Sequence, residues 1–220
     1  MAGSSALSPA RPARGRRVPR VSGDDRERAI LATAERLLEE RPLHEISIDD
    51  LARGAGISRP TFYFYFASKE AVLLTLLDRM VEEARTSRGD VLERFAEDPA
   101  HWLRQGITAI YDTFRSHRAV SLAAADTRAT SESVRELWSR VMEQFVEETR
   151  TAIEAERARG AAPDGVPARD LAVALNLMNE RVLLATFAGH TPTIDEATAI
   201  DTLVAVWIRA IYGTTDPNPA

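Results

Sequence analysis

Five consecutive aromatic residues, Phe62 to Phe66, form the most unusual chemical feature of this sequence. The chain has only seven Phe, four Tyr and three Trp, and five of them stand together here. A helix buries only part of its surface, so several of these rings must face outward. The residues just before the run, Arg59 to Thr61, are basic, apolar and hydroxylated. Such a mixture is typical of surfaces that contact base edges and phosphates of DNA.

Helical periodicity divides the aromatic run into two faces. Phe62 and Phe66 lie one turn apart, and we predict that they form a small core with Leu51 and Ile57. The opposite arc consists of Arg59, Pro60, Thr61, Tyr63 and Phe64, with Tyr65 at its edge. A core role for all five aromatic residues would strand Tyr63 and Phe64 on the surface. A helix about 10–12 Å across fits a major groove about 12 Å wide.

Each residue type on the outer arc suits one kind of DNA contact. Arg59 can donate two hydrogen bonds to guanine, while Pro60 and Phe64 offer apolar surface to a thymine methyl group or a sugar. Hydroxyl groups and the Lys69 ammonium suit phosphate oxygens, which set register without reading sequence. The predicted DNA contacts are Ser47, Arg59, Pro60, Thr61, Tyr63, Phe64, Tyr65 and Lys69.

The elements around this run read as a helix-turn-helix. A first helix begins near Asp24 and ends near Arg41, because Pro42 disfavours helix at the residue before it. Ser47 caps a second helix, and either glycine of 54–56 can adopt positive φ and end it. Ser58 caps a third helix, which tolerates Pro60 in its first turn. A fourth helix starts at 68–70 and runs to about residue 88.

The rest of the chain also shows helical periodicity, without a β-like alternating segment or an internal repeat. We predict helices near 99–115, 117–127, 131–159, 168–188 and 195–212. The fold class is therefore all-α, with an N-terminal three-helix helix-turn-helix domain and a C-terminal helical bundle. The predicted divisions are a disordered basic arm at 1–23, a DNA-binding domain at 24–68, a ligand-binding and dimerisation domain at 69–213 and a disordered tail at 214–220.

Composition excludes several classes of protein. The chain has no cysteine, which excludes disulfides and thiol chemistry. Its four histidines are scattered outside any metal-binding spacing, and it has no phosphate-binding or nucleophile-elbow motif. We therefore predict no cofactor, no metal and no enzymatic activity. The absence of a signal sequence and of an apolar stretch of about 18 residues favours a cytoplasmic protein with no membrane contact.

Charge is distributed unevenly along the chain. The net charge is −5, yet residues 1–23 contain five arginines and no acidic residue. Local basic patches, rather than whole-chain charge, decide affinity for nucleic acid. The arm either follows phosphates or a minor groove beside the main site, or it is a solvated tail without a partner.

The segment from Thr61 to Glu70 resembles the signature of the TetR family of regulators, and Gly56, Ser58 and Thr61 match the pattern that precedes it. One departure is Tyr65, where histidine is usual. The resemblance implies an N-terminal DNA-binding domain, a C-terminal ligand pocket and a four-helix dimer interface made by the last two helices. It also implies that ligand binding shifts the spacing of two DNA-binding domains.

A closer resemblance, to the EthR branch of that family, covers nearly the whole chain. It is carried by residues 22–27, 54–66, 174–181 and 211–213. It implies a repressor of a neighbouring flavin-dependent Baeyer–Villiger monooxygenase gene, and a long apolar channel in the C-terminal bundle for a hydrophobic or amphipathic effector. A nucleic-acid-binding architectural protein without an effector is the alternative.

Two amides mark the predicted channel. Asn176 and Asn179 share one side of a strongly apolar helix, and a buried amide costs about 1–3 kcal/mol if it is unpaired. Their partner is a ligand carbonyl, the backbone or a second subunit, and the resemblance favours the ligand. The predicted ligand-binding residues are Trp102, Gly106, Ile110, Met142, Phe145, Thr149, Asn176, Asn179 and Trp207.

Three positions depart from the EthR branch. Ile110, Phe145 and Glu148 stand where that branch has larger or uncharged aromatic residues. We therefore predict a channel that is roomier at one end, partly acidic if Glu148 points inward, and altered in its ligand preference.

The last two helices carry more apolar residues than one intramolecular contact needs. We therefore predict a homodimer through the helices near 168–188 and 195–212, with two recognition helices about one DNA turn or more apart. The apolar residues behind this prediction are Leu171, Leu175, Met178, Val182 and Phe187 in the first helix, and Ile200, Leu203, Val204, Trp207, Ile208 and Ile211 in the second.

Overall fold

A computed structural model describes residues 23–89 and 91–213 of the protein. These residues form ten α-helices and one 3₁₀ turn, without a strand in the described ranges, so the predicted all-α class is confirmed. The helices are α1 (Gly23–Glu40), α2 (Ile48–Gly54), α3 (Arg59–Tyr65), α4 (Lys69–Arg88), α5 (Val91–Arg94), α6 (Pro99–Ser116), α7 (Arg118–Thr127), α8 (Glu132–Ala158), α9 (Ala168–Ala188) and α10 (Glu196–Tyr212), and the 3₁₀ turn η1 covers Leu43–Glu45.

The predicted arm and tail lie outside the described residues, apart from Gly23, which begins α1. The periodic helices agree with their predicted bounds closely, whereas η1 and α5 were not predicted. Both missed elements are a single turn or less, too short to show a period of 3.6 residues. The division between domains at 68 and 69 remains a prediction.

Side-chain caps define the short helices of the N-terminal region. Ser47 and Asp50 form a reciprocal capping box at the start of α2. The Ser58 hydroxyl accepts from the Thr61 backbone N–H at 3.3 Å and begins α3. The same device begins α4, where Ser68 accepts from the N–H of Ala71. Side-chain caps thus fix the first residues of α2, α3 and α4. Helices α1 to α3 are called the head below, and α3 is its recognition helix.

The two glycines at the turn between α2 and α3 have different tasks. Gly56 has a φ of +67° and makes the turn. Gly54 lacks a positive φ, contrary to the freedom predicted for it, and ends α2 against α1. A Cβ atom on Gly54 would lie 2.3 Å from the Thr33 methyl group. Gly54 is therefore needed for close helix packing rather than for its backbone conformation.

The core runs continuously from the head into the C-terminal bundle. In the head, Phe62 is fully buried and packs near Phe66 and Leu51, which are also buried. Helix α4 packs against α1 on one side and against α6, α7 and α8 on the other. In the bundle, α8 lies along α9, and α10 contacts α6 and α9. Helix α4 makes the larger connection between the two parts of the molecule, and α1 adds a second one through α7.

Helix α9 is long and apolar enough to cross a membrane by length and composition alone. In the fold it packs against α7, α8 and α10. Only a third of its most apolar window is buried within one protomer. The predicted absence of an apolar stretch long enough to span a membrane therefore does not hold for α9.

Candidate DNA-binding surface and effector channel

The outer face of α3 leaves large aromatic side chains in solvent. Phe64 is 84% exposed and Tyr63 is 47% exposed, whereas the preceding residue, Phe62, is fully buried. Arg59 and Pro60 are also exposed, and Thr61 and Tyr65 are half-buried. The predicted division of the run into a core face and an outer face therefore describes the structure.

Two hydrogen bonds fix the position of the Arg59 side chain on this face. Its guanidinium donates to an Asp49 carboxylate oxygen at 3.1 Å and to the Tyr63 hydroxyl at 3.4 Å. The hydrogen bond to Tyr63, followed by the charge of Asp49, raises the pKa of Arg59 above its ordinary value. Because this pair is exposed, DNA can replace the carboxylate as partner at little cost.

The hydroxyl groups predicted to reach phosphates are placed in different ways. Ser47 is exposed, but its hydroxyl already serves the capping box, donating to Asp50 at 2.7 Å. The Thr61 hydroxyl lies 2.8 Å from that of Ser58. Both remain at the surface near α3, where a phosphate could join them.

Lys69 has a structural role that the sequence did not reveal. Its ammonium donates three hydrogen bonds, to the carbonyl oxygens of Leu43, His44 and Ile46 at 2.7, 3.2 and 3.0 Å. These occupy all three of its donors. Lys69 therefore ties the start of α4 to η1, which makes it a poor candidate for the phosphate contact predicted for it.

The C-terminal bundle contains a narrow channel with two adjoining chambers. The first, which Arg88 of α4 and Val91 of α5 help to line, measures about 70 Å³, and the second, between α6, α8 and α9, measures about 40 Å³. Ile110, Phe145, Asn176 and Asn179 line both chambers and join them into one channel. Drug-sized ligand pockets measure about 300–1,000 Å³. The channel must therefore widen to hold such a ligand, and an end roomier than that of the EthR branch stays a prediction.

Eight of the nine residues predicted to bind ligand lie on the channel wall. Trp102 does not line either chamber. Its ring instead lies under the Arg94 guanidinium, 4.1 Å from ring centroid to cation, and against His101. The neighbouring Leu103 lines the first chamber instead, so the structure does not support the ligand contact predicted for Trp102.

The two channel amides each keep one polar atom unpaired among the described residues. Asn176 uses its Nδ2 to donate to the Thr149 hydroxyl at 3.0 Å and to the Ala172 carbonyl at 2.9 Å. The Asn179 Oδ1 accepts from the Trp207 indole N–H at 2.9 Å. The Asn176 Oδ1 and the Asn179 Nδ2 make no hydrogen bond with the described residues.

Two charged residues on the wall were missed by sequence reasoning. Arg88, the last residue of α4, lines the first chamber, and Glu180 lines the second. Arg88 forms an ion pair with Glu148 and stacks over Phe145, with 5.3 Å between cation and ring centroid. Glu148 itself does not line either chamber, so the acidic wall expected from it is absent. The signal for Glu180 was its place one residue after Asn179 on the same apolar helix.

The exposed faces of α9 and α10 are apolar but smaller than predicted. Most of the apolar residues behind the dimer prediction are buried within one protomer, because α10 packs on α6 and α9. What remains exposed is centred on Leu177, at 50%, and Val206, at 38%. Ala174 and Ala210 flank them and permit close approach of another helix.

No group of three or more metal-ligating side chains occurs within the described parts of the chain. The fold and the two sites together define a helix-turn-helix regulator of the TetR class. Residues 30–76 match the model of the tetR family of bacterial regulatory proteins, and residues 103–213 match the C-terminal domain of the transcriptional regulator EthR.

Full-length relatives narrow this class. The chain is 58% identical to the HTH-type transcriptional regulator EthR of Mycobacterium tuberculosis H37Rv, covering 96% of this chain and 98% of the relative. It is 49% identical to EthR of Mycolicibacterium smegmatis, covering 94% and 95%. The chain belongs to the EthR family of TetR-type transcriptional regulators. Its relatives are regulators, which are not enzymes, so the predicted lack of enzymatic activity is confirmed.

Solved structures show the same fold at low identity. Thermus thermophilus FadR, a TetR-family transcriptional repressor in complex with lauroyl-CoA, superposes with a TM-score of 0.59 at 20% identity, covering 88% of this chain and 99% of FadR. This similarity supports the fold alone.

Proposed function

We propose that this protein is a ligand-responsive transcriptional repressor of the EthR type, acting in the cytoplasm as a homodimer. It binds an operator near a flavin monooxygenase gene and leaves the DNA when a hydrophobic or amphipathic small molecule enters the channel. The observation that carries this proposal is a single helix, α4, which begins at the DNA-binding head and ends on the channel wall.

The outer face of α3 supplies the contacts to the operator. Arg59 reads a guanine, and Pro60 with Phe64 offers apolar surface to a neighbouring thymine or sugar. Thr61, Tyr63, Tyr65 and Ser47 bring hydroxyl groups to the flanking phosphates. The high exposure of the Phe64 side chain supports this use.

The channel holds the effector between α6, α8, α9 and α10. The free Asn179 Nδ2 donates to a carbonyl of the ligand, and the free Asn176 Oδ1 accepts from a ligand N–H. Apolar and aromatic walls take up the remainder. The wall residues assigned to the effector are Gly106, Ile110, Met142, Phe145, Thr149, Asn176, Asn179 and Trp207.

Helix α4 connects the two events because both of its ends are fastened. At its start, Lys69 holds three carbonyl groups around η1 in the head. At its end, Arg85 bonds to Gln144 and Arg88 to Glu148, both on α8. A ligand that displaces Phe145 or Arg88 therefore moves α4 and the head with it. Such a ligand shifts DNA affinity only by its differential affinity for the two arrangements.

The dimer forms through the exposed faces of α9 and α10, where Leu177 and Val206 from each protomer meet. A two-fold axis there makes the same patch contact itself. It also carries two copies of α3 on one side of the assembly, so that they reach successive major grooves.

A mobility-shift assay on the DNA between this gene and its divergent neighbour tests the proposal. Arg59→Ala and Tyr63→Ala should each weaken the specific complex, and loss of the Arg59 contact should cost about tenfold to 100-fold. Arg104→Ala is the matched control, because Arg104 is an exposed arginine paired with Asp201, on α6 and outside the head. It should leave DNA binding unchanged.

Two outcomes would contradict the proposal. A stable monomer in sedimentation at micromolar concentration would overturn the dimer. A specific complex that survives both α3 variants, with the variants folded, would overturn the assignment of the recognition face. Binding that no small molecule releases would favour an architectural protein without an effector.

A further inference from the structure

Each charged residue on the channel wall has an opposite charge just behind the wall. Arg88 lines the first chamber and pairs with Glu148, which does not. Glu180 lines the second chamber and pairs with Arg128 at 2.5 Å, and Arg128 does not line it either. The channel is therefore electrically compensated at both ends before any ligand enters.

Both pairs are shielded from water. The side chains of Arg88 and Glu148 are 12% and 23% exposed, and those of Arg128 and Glu180 are 27% and 14% exposed. In such surroundings an added charge without a partner is costly, because water cannot screen it. A cationic or anionic ligand group would compete with an existing partner in either chamber.

Glu180 nevertheless keeps one acceptor available. Its Oε1 receives both the Arg128 guanidinium, at 2.5 Å, and the Trp138 indole N–H, at 2.9 Å. Its Oε2 makes no hydrogen bond with the described residues. A carboxylate has about four acceptor positions on its two oxygens, so Glu180 can accept a further hydrogen bond. The second chamber lies beside this side chain and is the open space that a donor on a ligand can reach.

The charge of Arg128 determines which kind of donor can bind the Glu180 Oε2. Its guanidinium already neutralises Glu180 and stacks over Trp138, 5.1 Å from ring centroid to cation. An ammonium group would bring a second positive charge within a few ångströms of the guanidinium and repel it. A hydroxyl or an amide N–H donates the same hydrogen bond without this repulsion. A hydrogen bond to a charged acceptor is stronger than one between neutral groups.

We infer that the effector is an uncharged, elongated molecule. Its end in the second chamber carries a hydroxyl or amide N–H that donates to Glu180. Its body is narrow, because the chambers enclose only about 70 and 40 Å³ and meet between Phe145 and the two channel asparagines. The inference rests on the proposed effector role of the channel. It adds the charge class of the ligand and the residue that recognises its polar end.

Matched eight-carbon probes test this inference by calorimetric titration of the full-length protein. Octan-1-ol and its isomer 1-methoxyheptane have the same atoms, but only the alcohol donates a hydrogen bond. We expect the alcohol to bind the native protein about tenfold or more tightly than the ether, as for a hydrogen bond to a charged group. Octylammonium and octanoate should both bind more weakly than the alcohol.

Two matched variants show whether Glu180 is responsible. Glu180→Gln and Glu143→Gln make the same chemical change, and each leaves an arginine without its carboxylate, but only Glu180 lines the channel. The preference for alcohol over ether should fall to near unity in Glu180→Gln and stay unchanged in Glu143→Gln. If Glu180→Gln fails to fold, Glu180→Asp, which withdraws the carboxylate by one methylene group, takes its place.

The outcomes separate this inference from the proposed function. Equal binding of alcohol and ether, or a preference that persists without Glu180, would overturn the role of Glu180 while leaving the channel as an effector site. Tightest binding by octylammonium or octanoate would overturn the uncharged class. Failure of all four probes to bind the folded protein would count against the channel itself and hence against both proposals.

Discussion

The head and the channel use similar ion pairs in opposite environments. The Arg59–Asp49 pair of the head is about half exposed on both sides, whereas the Arg88–Glu148 pair of the channel is mostly shielded. An exposed pair contributes about 0–1 kcal/mol and exchanges partners readily. A shielded pair is costly to break, because the remaining charge has little access to water. We therefore expect the head to exchange its ion-pair partners for DNA on operator binding, and the channel to keep its own partners when a ligand binds.

The sharpest test within the head compares two aromatic residues that are two positions apart. Phe62→Ala should destabilise the fold by about 3–5 kcal/mol, because it removes a fully buried ring from the head core. Phe64→Ala should change the unfolding free energy by less than about 0.5 kcal/mol, because the ring is exposed. Denaturant unfolding measures both, and an equal loss of stability in the two variants would break the division of α3 into core and DNA faces.

Operator binding should be sensitive to Phe64 even though the free energy of unfolding is not. Phe64→Ala should weaken the specific complex while leaving the protein folded. Unchanged DNA affinity in that variant would mean that the exposed ring has another use.

A second test addresses the contrast between the ion pairs directly. Glu148→Gln should destabilise the protein by about 2–3 kcal/mol, since it leaves the Arg88 charge uncompensated in shielded surroundings. Asp49→Asn, the matched change in the exposed pair, should cost about 0–1 kcal/mol. Unfolding at low and high salt measures both effects. Similar losses in the two variants would remove the basis for contrasting the head with the channel.

The smallest expected effect is the pH dependence of stability that Asp50 contributes. The hydroxyl and then the backbone N–H of Ser47 hydrogen-bond to Asp50 and lower the pKa of its carboxyl below the ordinary 3.8. Because the folded pKa is the lower one, the stabilisation is present above the ordinary pKa and is lost as the pH falls through the folded value. Asp50→Asn should flatten the stability profile in that acidic window. A profile identical to that of the native protein would show that the capping box contributes nothing measurable.

The sequence was most informative where local chemistry decides local structure. Ser47, Ser58 and Ser68 marked the starts of three helices because a side-chain oxygen caps the nearest free N–H groups. The spacing of Phe62 and Phe66 separated the core face of α3 from the outer face. The apolar periodicity of the long helices gave bounds close to those observed.

The sequence was less informative about what each side chain packs against in the fold. Lys69 looked like a phosphate contact, yet its partners are carbonyl groups more than 20 residues away. Trp102 was predicted to line the channel, and Glu148 to make it acidic if it points inward, but neither residue lines a chamber. Arg88 and Glu180 gave no periodic signal, because a charged residue at a helix end or beside an apolar stripe is usually solvated.

By itself, the sequence determined the all-α class, the helix-turn-helix and the identity of the aromatic, basic face, because caps, turns and periodicity act over a few residues. It also indicated most of the channel wall, through apolar helices that carry isolated amides. Only the tertiary structure decided which charges meet, which polar atoms stay unpaired and how narrow the channel is. Those properties depend on helices far apart in sequence that pack side by side, and burial then sets whether a charge can change its partner.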